Sequence, residues 1–303
     1  MYRNLNPMAL GITGRQSELI ELALTYGFRS LNMDMKAIVK RARANGVGQA
    51  GRFVASANIR GGEFALPLEL TAPETTYRSS LVEFGEFVEV AASLNAIGCR
   101  ATVPPVSSGM PYQESFELHR TRLTEIAEVL ARHELPLGLA FMAASSHRQS
   151  SEPPFIYNGE TLMTLIRTMG SPNVGLALDT WNWFVGGGSL DDILALPIDR
   201  IVSVRLADIP TSADLNTIGD DERYMPGDGG LIDCRAIVQH LLKNEYAGPI
   251  TLYPTPTRFA GRTRDAIVQE AKSALDDLCK PTPPKPPAVE EVREPAEADA
   301  VSE

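Results

Sequence analysis

Short apolar segments alternate with helical patterns about eight times along this chain, and this alternation restricts the fold more than any other feature of the sequence. Apolar residues that recur every three or four positions mark helices beginning near Leu81, Leu123 and Ile267. Further helices are predicted at 16–26, 36–45, 160–169 and 235–243, and strands at 8–13, 30–34, 53–60, 99–104, 136–142, 173–179, 200–207 and 249–254. An eightfold repeat of strand and helix over about 250 residues predicts a (β/α)8 TIM barrel, an α/β fold, rather than an open sheet.

The connections and the side-chain sizes support a barrel. The predicted strand-to-helix loops are long, at about 61–80, 143–159 and 208–234, whereas the helix-to-strand links are short and rich in turn residues. Long loops on one face are expected at the carboxyl end of a barrel, where its site lies. Large and small residues also alternate along the strands, as in Leu176-Ala177-Leu178, and the small phase is expected to fill the narrow interior.

Charge and composition limit the classes of function. The chain of 303 residues has a net charge of −10, so it lacks the basic surface of a nucleic-acid-binding protein. No apolar run is long enough to span a bilayer, and the first residues lack the apolar core of a signal peptide. The three cysteines are far apart, which indicates neither a disulfide framework nor a zinc site. We therefore expect a cytoplasmic protein without nucleic-acid or membrane partners, and the oligomeric state stays open.

The chain is predicted to divide into a barrel at 1–280 and a tail at 281–303. The tail contains six prolines, no aromatic residue and mainly Ala and Glu otherwise. Such a segment cannot bury enough apolar surface to offset the entropy lost on ordering. We expect an acidic, disordered tail, and the sequence does not identify a partner for it.

Extending the small phase of each strand by one inward step predicts the residues at the carboxyl-end mouth of the barrel. They are Thr13, Asp34, Asn58, Arg60, Thr102, Ala140, Asp179, Arg205 and Tyr253. Catalytic groups of barrels come from such positions and from the loops that follow them. A single polar residue at a strand end is as often structural as functional, so the whole set carries the prediction.

Four motifs in the second half of the chain resemble a known family. They are VGLALDTWNWF at 174–184, VRLADIP at 204–210, PGDGGLID at 226–233 and YAGPITL at 246–252. Over about 7–278 the chain resembles the xylose-isomerase-like barrels, which include sugar and sugar-phosphate isomerases and epimerases. The resemblance implies a barrel whose mouth holds one divalent metal ion.

In these barrels the metal ligands are a Glu, an Asp, a His and a Glu at the ends of strands five to eight, and the two Glu also transfer protons. The matching residues here are Ala140, Asp179, Arg205 and Tyr253, and Asn182 stands where a substrate-contacting His often follows the Asp. A methyl group, a guanidinium and a phenol are poor ligands for a hard cation. The comparison therefore predicts that the metal and both catalytic bases are lost, that Asp179 is a relict ligand and that no cofactor is bound.

Charged residues near this degenerate site suggest what replaces the metal. An Asp179–Arg205 ion pair either closes the mouth or, with a further arginine, binds an anionic sugar or acid. The predicted substrate-binding residues are Arg60, Asp179, Asn182, Arg205, Asp208 and Arg223, with no catalytic residue assigned. A rebuilt metal site with oxygen ligands from Asp34, Glu63, Asp179 and Asp208 stays open as an alternative. Weaker candidates are a phosphate cradle at Gly186-Gly187-Gly188, sugar stacking on Trp181 or Trp183, and His147 in a mouth-side loop.

The leading functional hypothesis is a metal-free protein of the sugar isomerase/epimerase type that binds a sugar or a small acid, or a pseudoenzyme. The alternative is an active sugar or sugar-phosphate isomerase or epimerase with a rearranged site, so enzymatic activity stays open. A relative of the abasic-site endonucleases would need a histidine-rich zinc cluster and a basic surface, and the sequence has neither. A scaffold whose tail recruits a partner is the remaining hypothesis.

Overall fold

The computed structural model describes residues 1–149 and 151–281. The segment predicted to be a disordered tail, 281–303, lies outside the described residues except for Pro281. In the part of the chain that the structure describes, no helix combines the length and the apolar character needed to cross a membrane.

One parallel sheet forms the centre of the molecule. Its described strands are β1 (Tyr2–Leu5), β2 (Ser30–Leu31), β3 (Arg60–Gly61), β4 (Glu63–Ala65), β5 (Gly98–Val103), β6 (Leu137–Phe141), β7 (Val174–Asp179), β8 (Ile201–Leu206) and β9 (Pro249–Leu252). They follow the order β3-β2-β1-β9-β8-β7-β6-β5-β4. The two edge strands, β3 and β4, are separated by Gly62 alone and therefore act as two halves of one strand that brings the edges of the sheet together. The predicted (β/α)8 barrel is confirmed.

Gly62 is needed where the third barrel strand is interrupted. Its backbone N–H donates to the carbonyl of Leu31 at 2.6 Å. A Cβ atom at this position would lie 2.5 Å from the backbone nitrogen of Asn32, which no side chain can tolerate. The glycine therefore allows the end of β2 to approach closely, and it lets the strand change partner from β2 to β5.

Helices surround the sheet, and all those predicted from periodicity are present. The described helices, predicted or not, are α1 (Gln16–Thr25), α2 (Met35–Asn45), α3 (Val47–Ser56), α4 (Glu74–Ser93), α5 (Tyr112–Ala131), α6 (Gly159–Met169), α7 (Thr180–Val185), α8 (Leu190–Leu194), α9 (Cys234–Lys243) and α10 (Arg264–Cys279). The apolar faces are buried, as Leu123, Ile126 and Leu130 of α5 illustrate. Packing of these stripes against the outward face of the strands forms the core.

Two predicted strands are wrong. The first strand is β1, and the segment predicted at 8–13 instead contains a 3-10 turn, Met8–Leu10, closed by Gly11 at φ 67°. The first half of the strand predicted at 53–60 falls in α3, where Gly51 and Val54 are both buried three residues apart, as on one face of a helix. A turn through Asn58, at φ 51°, then leads to β3. Short apolar runs mimic strands in both places because alternation over a few residues is ambiguous.

An uncharged hydrogen-bonded layer also lies in the barrel interior. Asn4 donates through its amide to the side chains of Asn32 at 2.7 Å and Thr251 at 3.0 Å, and it accepts from Ser30 at 2.8 Å. Asn4, Ser30 and Thr251 belong to β1, β2 and β9, and Asn32 follows β2. Thr251 pairs with Arg205 in the register of β9 and β8, so this layer adjoins the charged groups described below while its own buried groups are satisfied.

Candidate functional site

Five charged side chains meet inside the barrel near its carboxyl end. We call the set of Glu63, Arg100, Asp179, Arg205 and Arg223 the mouth cluster. Four of them belong to β4, β5, β7 and β8, and Arg223 comes from the loop between β8 and α9. The cluster contains three guanidinium groups and two carboxylates, so its formal charge is positive by one.

The first half of the mouth cluster surrounds Glu63. One oxygen of this carboxylate, Oε1, accepts a 2.6 Å hydrogen bond from Nη2 of Arg205, and the hydroxyl of Ser203 donates to the other oxygen. Nη1 of Arg100 lies 3.6 Å from Oε2, which is beyond hydrogen-bond distance. Burial opposes ionisation of Glu63, but the charges of Arg205 and Arg100 outweigh burial and lower its pKa. Glu63 is therefore an ionised anchor for Arg205.

The second half of the mouth cluster surrounds Asp179. Nη1 of Arg223 donates to Oδ1 at 3.0 Å and to Oδ2 at 3.2 Å, and the backbone N–H of Asn182 donates to Oδ1 at 3.1 Å. The guanidinium of Arg223 lies 4.3 Å above the ring of the buried Trp181. Burial opposes ionisation of Asp179, but Arg223 and the other arginines lower its pKa. Asp179 also caps α7, so its carboxylate is fully engaged.

Arg100 is the least satisfied member of the mouth cluster. Its side chain is 5% exposed, and its Nη1 atom has no hydrogen-bond partner among the described residues. Burial, followed by repulsion from Arg205, lowers the pKa of Arg100 to about 10. A buried cation without full compensation is costly, so this side of the cluster favours the approach of negative charge.

The mouth is open to solvent beside β4 and β5. Ala65 shares the inward phase of Glu63, and Thr102 shares that of Arg100, yet both are exposed. Arg205 is 17% exposed, and its guanidinium lies 4.4 Å above the ring of Tyr253. The mouth is therefore accessible to solvent beside the third and fourth barrel strands, and Arg205 is partly exposed.

The structure places two of the predicted mouth residues, Arg60 and Asn58, away from the mouth. Arg60 begins β3, donates from Nε to the carbonyl of Asn95 at 3.2 Å and covers the ring of Tyr2 at the start of β1. It therefore lies at the amino end of the barrel, opposite the predicted position. Thr13 and Asn58 are not at strand ends either, because the first and third strands were predicted at the wrong residues.

The predicted Asp179–Arg205 ion pair is wrong. The two residues are neighbours in the register of β7 and β8, but Asp179 pairs with Arg223 and Arg205 pairs with Glu63. Side chains on adjacent strands share a wall of the barrel, whereas β4 is four strand positions from β8 and lies across the interior. The long Arg205 side chain reaches across, and the loop arginine takes the carboxylate that remains.

Asp208 and Asn182 hold loops together. The two carboxylate oxygens of Asp208 accept backbone N–H groups from Ile209, Gly230 and Ile232, so this side chain ties down the long loop after β8. The amide oxygen of Asn182 accepts from the N–H of Ala143 at 2.9 Å, in the loop after β6. Both contacts explain these polar residues structurally, without a ligand.

The weaker candidates also have structural explanations. Trp181 and Trp183 are buried, and their indole N–H groups donate to backbone carbonyls, so packing and hydrogen bonding account for both side chains. The backbone N–H groups of 186–188 donate to carbonyls of α7, so the predicted phosphate cradle is wrong. His147 bonds Asp220 and thereby joins the loops after β6 and β8.

Comparisons with known proteins agree with this geometry. A family model described as xylose isomerase-like TIM barrel matches residues 17–278. The chain belongs to the xylose isomerase-like TIM barrel family. No curated protein matches the chain at a significant level.

Solved structures share the fold of this xylose isomerase-like barrel. A xylose isomerase domain protein from Alicyclobacillus acidocaldarius is 23% identical, with a TM-score of 0.80 over 92% of this chain and 98% of that one. The IolI protein with a bound zinc atom is 16% identical, with a TM-score of 0.76 over 92% and 98%. A D-psicose 3-epimerase in the presence of D-fructose is 13% identical, with a TM-score of 0.69 over 92% and 100%. One of the proteins that share this fold is therefore an epimerase.

The residues of this xylose isomerase-like barrel do not fit the divalent metal that the resemblance implies. Ala140 is a buried methyl group, Asp179 is held by Arg223, and the other two ligand positions are Arg205 and Tyr253. Within residues 1–149 and 151–281, no three His, Cys, Asp or Glu side chains converge as ligands for an ion. The alternative site built from Asp34, Glu63, Asp179 and Asp208 is therefore not assembled, and Asp34 instead caps α2.

Two members of the mouth cluster were not assigned to it from the sequence. The sequence places Glu63 only in the alternative metal site, because the third strand is predicted to end at residue 60. Arg100 is not among the predicted mouth residues, although it is the one charged residue in the apolar segment of β5. A lone charge inside a buried strand is the signal that identifies it.

Proposed function

We propose that this protein binds a small carbohydrate or sugar acid at the barrel mouth without a divalent metal ion, as a binding protein or pseudoenzyme of its family. The observation that carries the proposal is the exchange of ligand chemistry at the mouth. Arg205, anchored by Glu63, stands where the resemblance places a metal-binding His. A fixed guanidinium carries positive charge and donates hydrogen bonds, so it can orient an oxygen-rich ligand as a cation does.

The size and class of ligand follow from the fold relatives. The D-psicose 3-epimerase was solved in the presence of D-fructose, a six-carbon sugar, and IolI was solved with zinc. We extend the sugar-sized ligand to this chain, but not the metal, because three of the four ligand positions hold Ala140, Arg205 and Tyr253, and the retained Asp179 is bound by Arg223. The cytoplasmic location remains part of the proposal. So does the lack of nucleic-acid partners, which the net charge of −10 supports.

The state of the carboxylates argues against proton transfer as the main function. A general base works best when its pKa is near the working pH. Glu63 and Asp179 both have a lowered pKa, and each is bound to an arginine. Neither is suited to remove a proton from a sugar carbon. An isomerase or epimerase with a rearranged site therefore remains an outcome of the test rather than the proposal.

The test is a binding screen with and without chelator. The purified chain is titrated with hexoses and hexonic or hexuronic acids by calorimetry, in EDTA and in Mn²⁺. We expect binding that EDTA leaves unchanged. Binding that requires Mn²⁺ would contradict a metal-free site. Exchange of a sugar C–H in D₂O that Glu63→Gln abolishes would establish an isomerase instead.

A further inference from the structure

We propose that the ligand of this protein carries one carboxylate group, which binds Arg205 in the open half of the mouth. The positive charge of the buried Arg100 strengthens this binding without contacting the ligand. This inference rests on the proposed function and narrows it to sugar acids and related hydroxy acids. The carboxylate would meet Arg205 beside Ala65 and Thr102, where inward-facing residues are exposed.

The charge of the mouth cluster is the first argument. Arg223 pairs with Asp179 and lies 3.6 Å from the more exposed Asp220, whereas Arg205 pairs with Glu63 alone. The half that contains Arg100 and Arg205 thus shares the single carboxylate of Glu63. One added negative charge completes the balance, and a carboxylate supplies it.

The unsatisfied donor of Arg100 is the second argument. Its Nη1 atom is buried without a hydrogen-bond partner in the described part of the chain, and its charge repels that of Arg205. Electrostatic interactions are stronger in such a dry interior than in water. An anion on Arg205 relieves this repulsion, so Arg100 increases affinity without touching the ligand.

The space around Arg205 is the third argument. Inward positions on β4, β5 and β6 carry the small side chains of Ala65, Thr102 and Ala140. Ala140 replaces the long acidic side chain that the resemblance places there, so both volume and negative charge are removed. The planar fork of Arg205 matches a carboxylate, which can accept two parallel hydrogen bonds. A phosphate dianion would exceed the one charge left uncompensated.

The experiment compares matched pairs of sugars by calorimetry in EDTA. The probes are D-glucose, D-galactose and their uronic and aldonic acids, with D-glucose 6-phosphate as a separate arm. We expect at least one acid to bind ten or more times more tightly than its parent sugar. Binding of neutral sugars with no gain from the carboxylate would overturn this inference and leave the proposed function intact. Binding of none of the sugars or acids would overturn both, and preference for the phosphate would replace the carboxylate.

Two variants that change the charge of the site in opposite directions distinguish a role in binding from a role in stability. Arg205→Gln is expected to lower affinity for the acid at least tenfold, whereas Glu63→Gln is expected to raise it, because a competing carboxylate is removed. Arg60→Gln, at the amino end, is the matched control and should leave affinity unchanged. Loss of affinity in both Arg205→Gln and Glu63→Gln would indicate that the pair only maintains the structure. If Arg205→Gln does not fold, Arg205→Lys replaces it as the test. This variant keeps the charge but not the planar fork, so we expect a several-fold loss of affinity for the acid.

Discussion

The two arginine–carboxylate pairs of the mouth cluster have different surroundings. Asp179 has both oxygens bound by Arg223 and caps a helix, and Arg223 lies over the ring of Trp181, so both carboxylate oxygens are used within the protein. Glu63 is shared between two arginines, one of which keeps an unpartnered Nη1 among the described residues. The first pair has the properties of a structural element, and the second is the one on which the proposed binding site rests.

This difference has an energetic basis. Breaking a buried ion pair from one side leaves an unpaired charge, which is strongly unfavourable. A pair that is already satisfied gains little from a ligand, whereas a cluster with surplus positive charge gains from any anion that fits. Stability and binding should therefore depend on different members of the cluster.

The largest expected effect is on the structural pair. Asp179→Ala leaves Arg223 buried without its carboxylate and removes the cap of α7, so we expect a loss of about 3–5 kcal/mol in the free energy of unfolding. Urea denaturation followed by circular dichroism measures it. Glu86→Ala is the control: it breaks an ion pair with Arg43 in which both side chains are more than half exposed. It should lower the free energy of unfolding by less than about 1 kcal/mol. Equal losses in the two variants would contradict the structural role.

A double substitution sharpens the same comparison with a smaller net effect. Asp179→Leu combined with Arg223→Met replaces both charges by apolar groups, so no unpaired charge remains. We expect the double variant to unfold within about 1 kcal/mol of the parent, mainly because of the lost helix cap. A double-mutant cycle gives the coupling between the two positions. Additive losses would show that the residues do not act as a pair.

Acid titration compares the two carboxylates directly. Both have a lowered pKa in the folded protein, so the stability that they contribute is full above the ordinary carboxyl range and is lost as the pH falls through the folded values. We expect the urea concentration at the midpoint of unfolding to decrease once the pH is lowered below about 4. Glu63→Gln should show a shallower fall than the parent over that range. An unchanged pH profile would indicate that Glu63 does not contribute through its ionised form.

The same contrast shows how far the sequence can be interpreted. Strands β5 to β9 are four to six residues long, and their alternation, turns and motifs predicted them correctly. Strands β3 and β4, the two halves of the third barrel strand, have two and three residues, too few for a periodic pattern. The error in the third strand displaced Arg60 to the wrong end of the barrel and removed Glu63 from the predicted mouth.

The sequence predicted several residues of the site correctly but not which of them form ion pairs with one another. The motifs at 174–184, 204–210 and 246–252 located Asp179, Arg205 and the strand before Tyr253, because local sequence fixes a residue's position along a strand. The partners were not predictable in this way. They depend on tertiary contacts: Arg205 crosses the barrel to Glu63 of β4, and Arg223 folds back from its loop and packs against Trp181.

The smallest expected effect concerns the aromatic ring that both halves share. Tyr253 lies 4.4 Å from the guanidinium of Arg205 and 5.4 Å from that of Arg223. A cation–π contact depends on the ring rather than the hydroxyl, so Tyr253→Phe should change the free energy of unfolding by less than about 0.5 kcal/mol. Tyr253→Leu removes the ring at similar bulk and should cost about 1 kcal/mol. If Tyr253→Phe is as damaging as Tyr253→Leu in urea denaturation, the hydroxyl rather than the ring connects the two arginines.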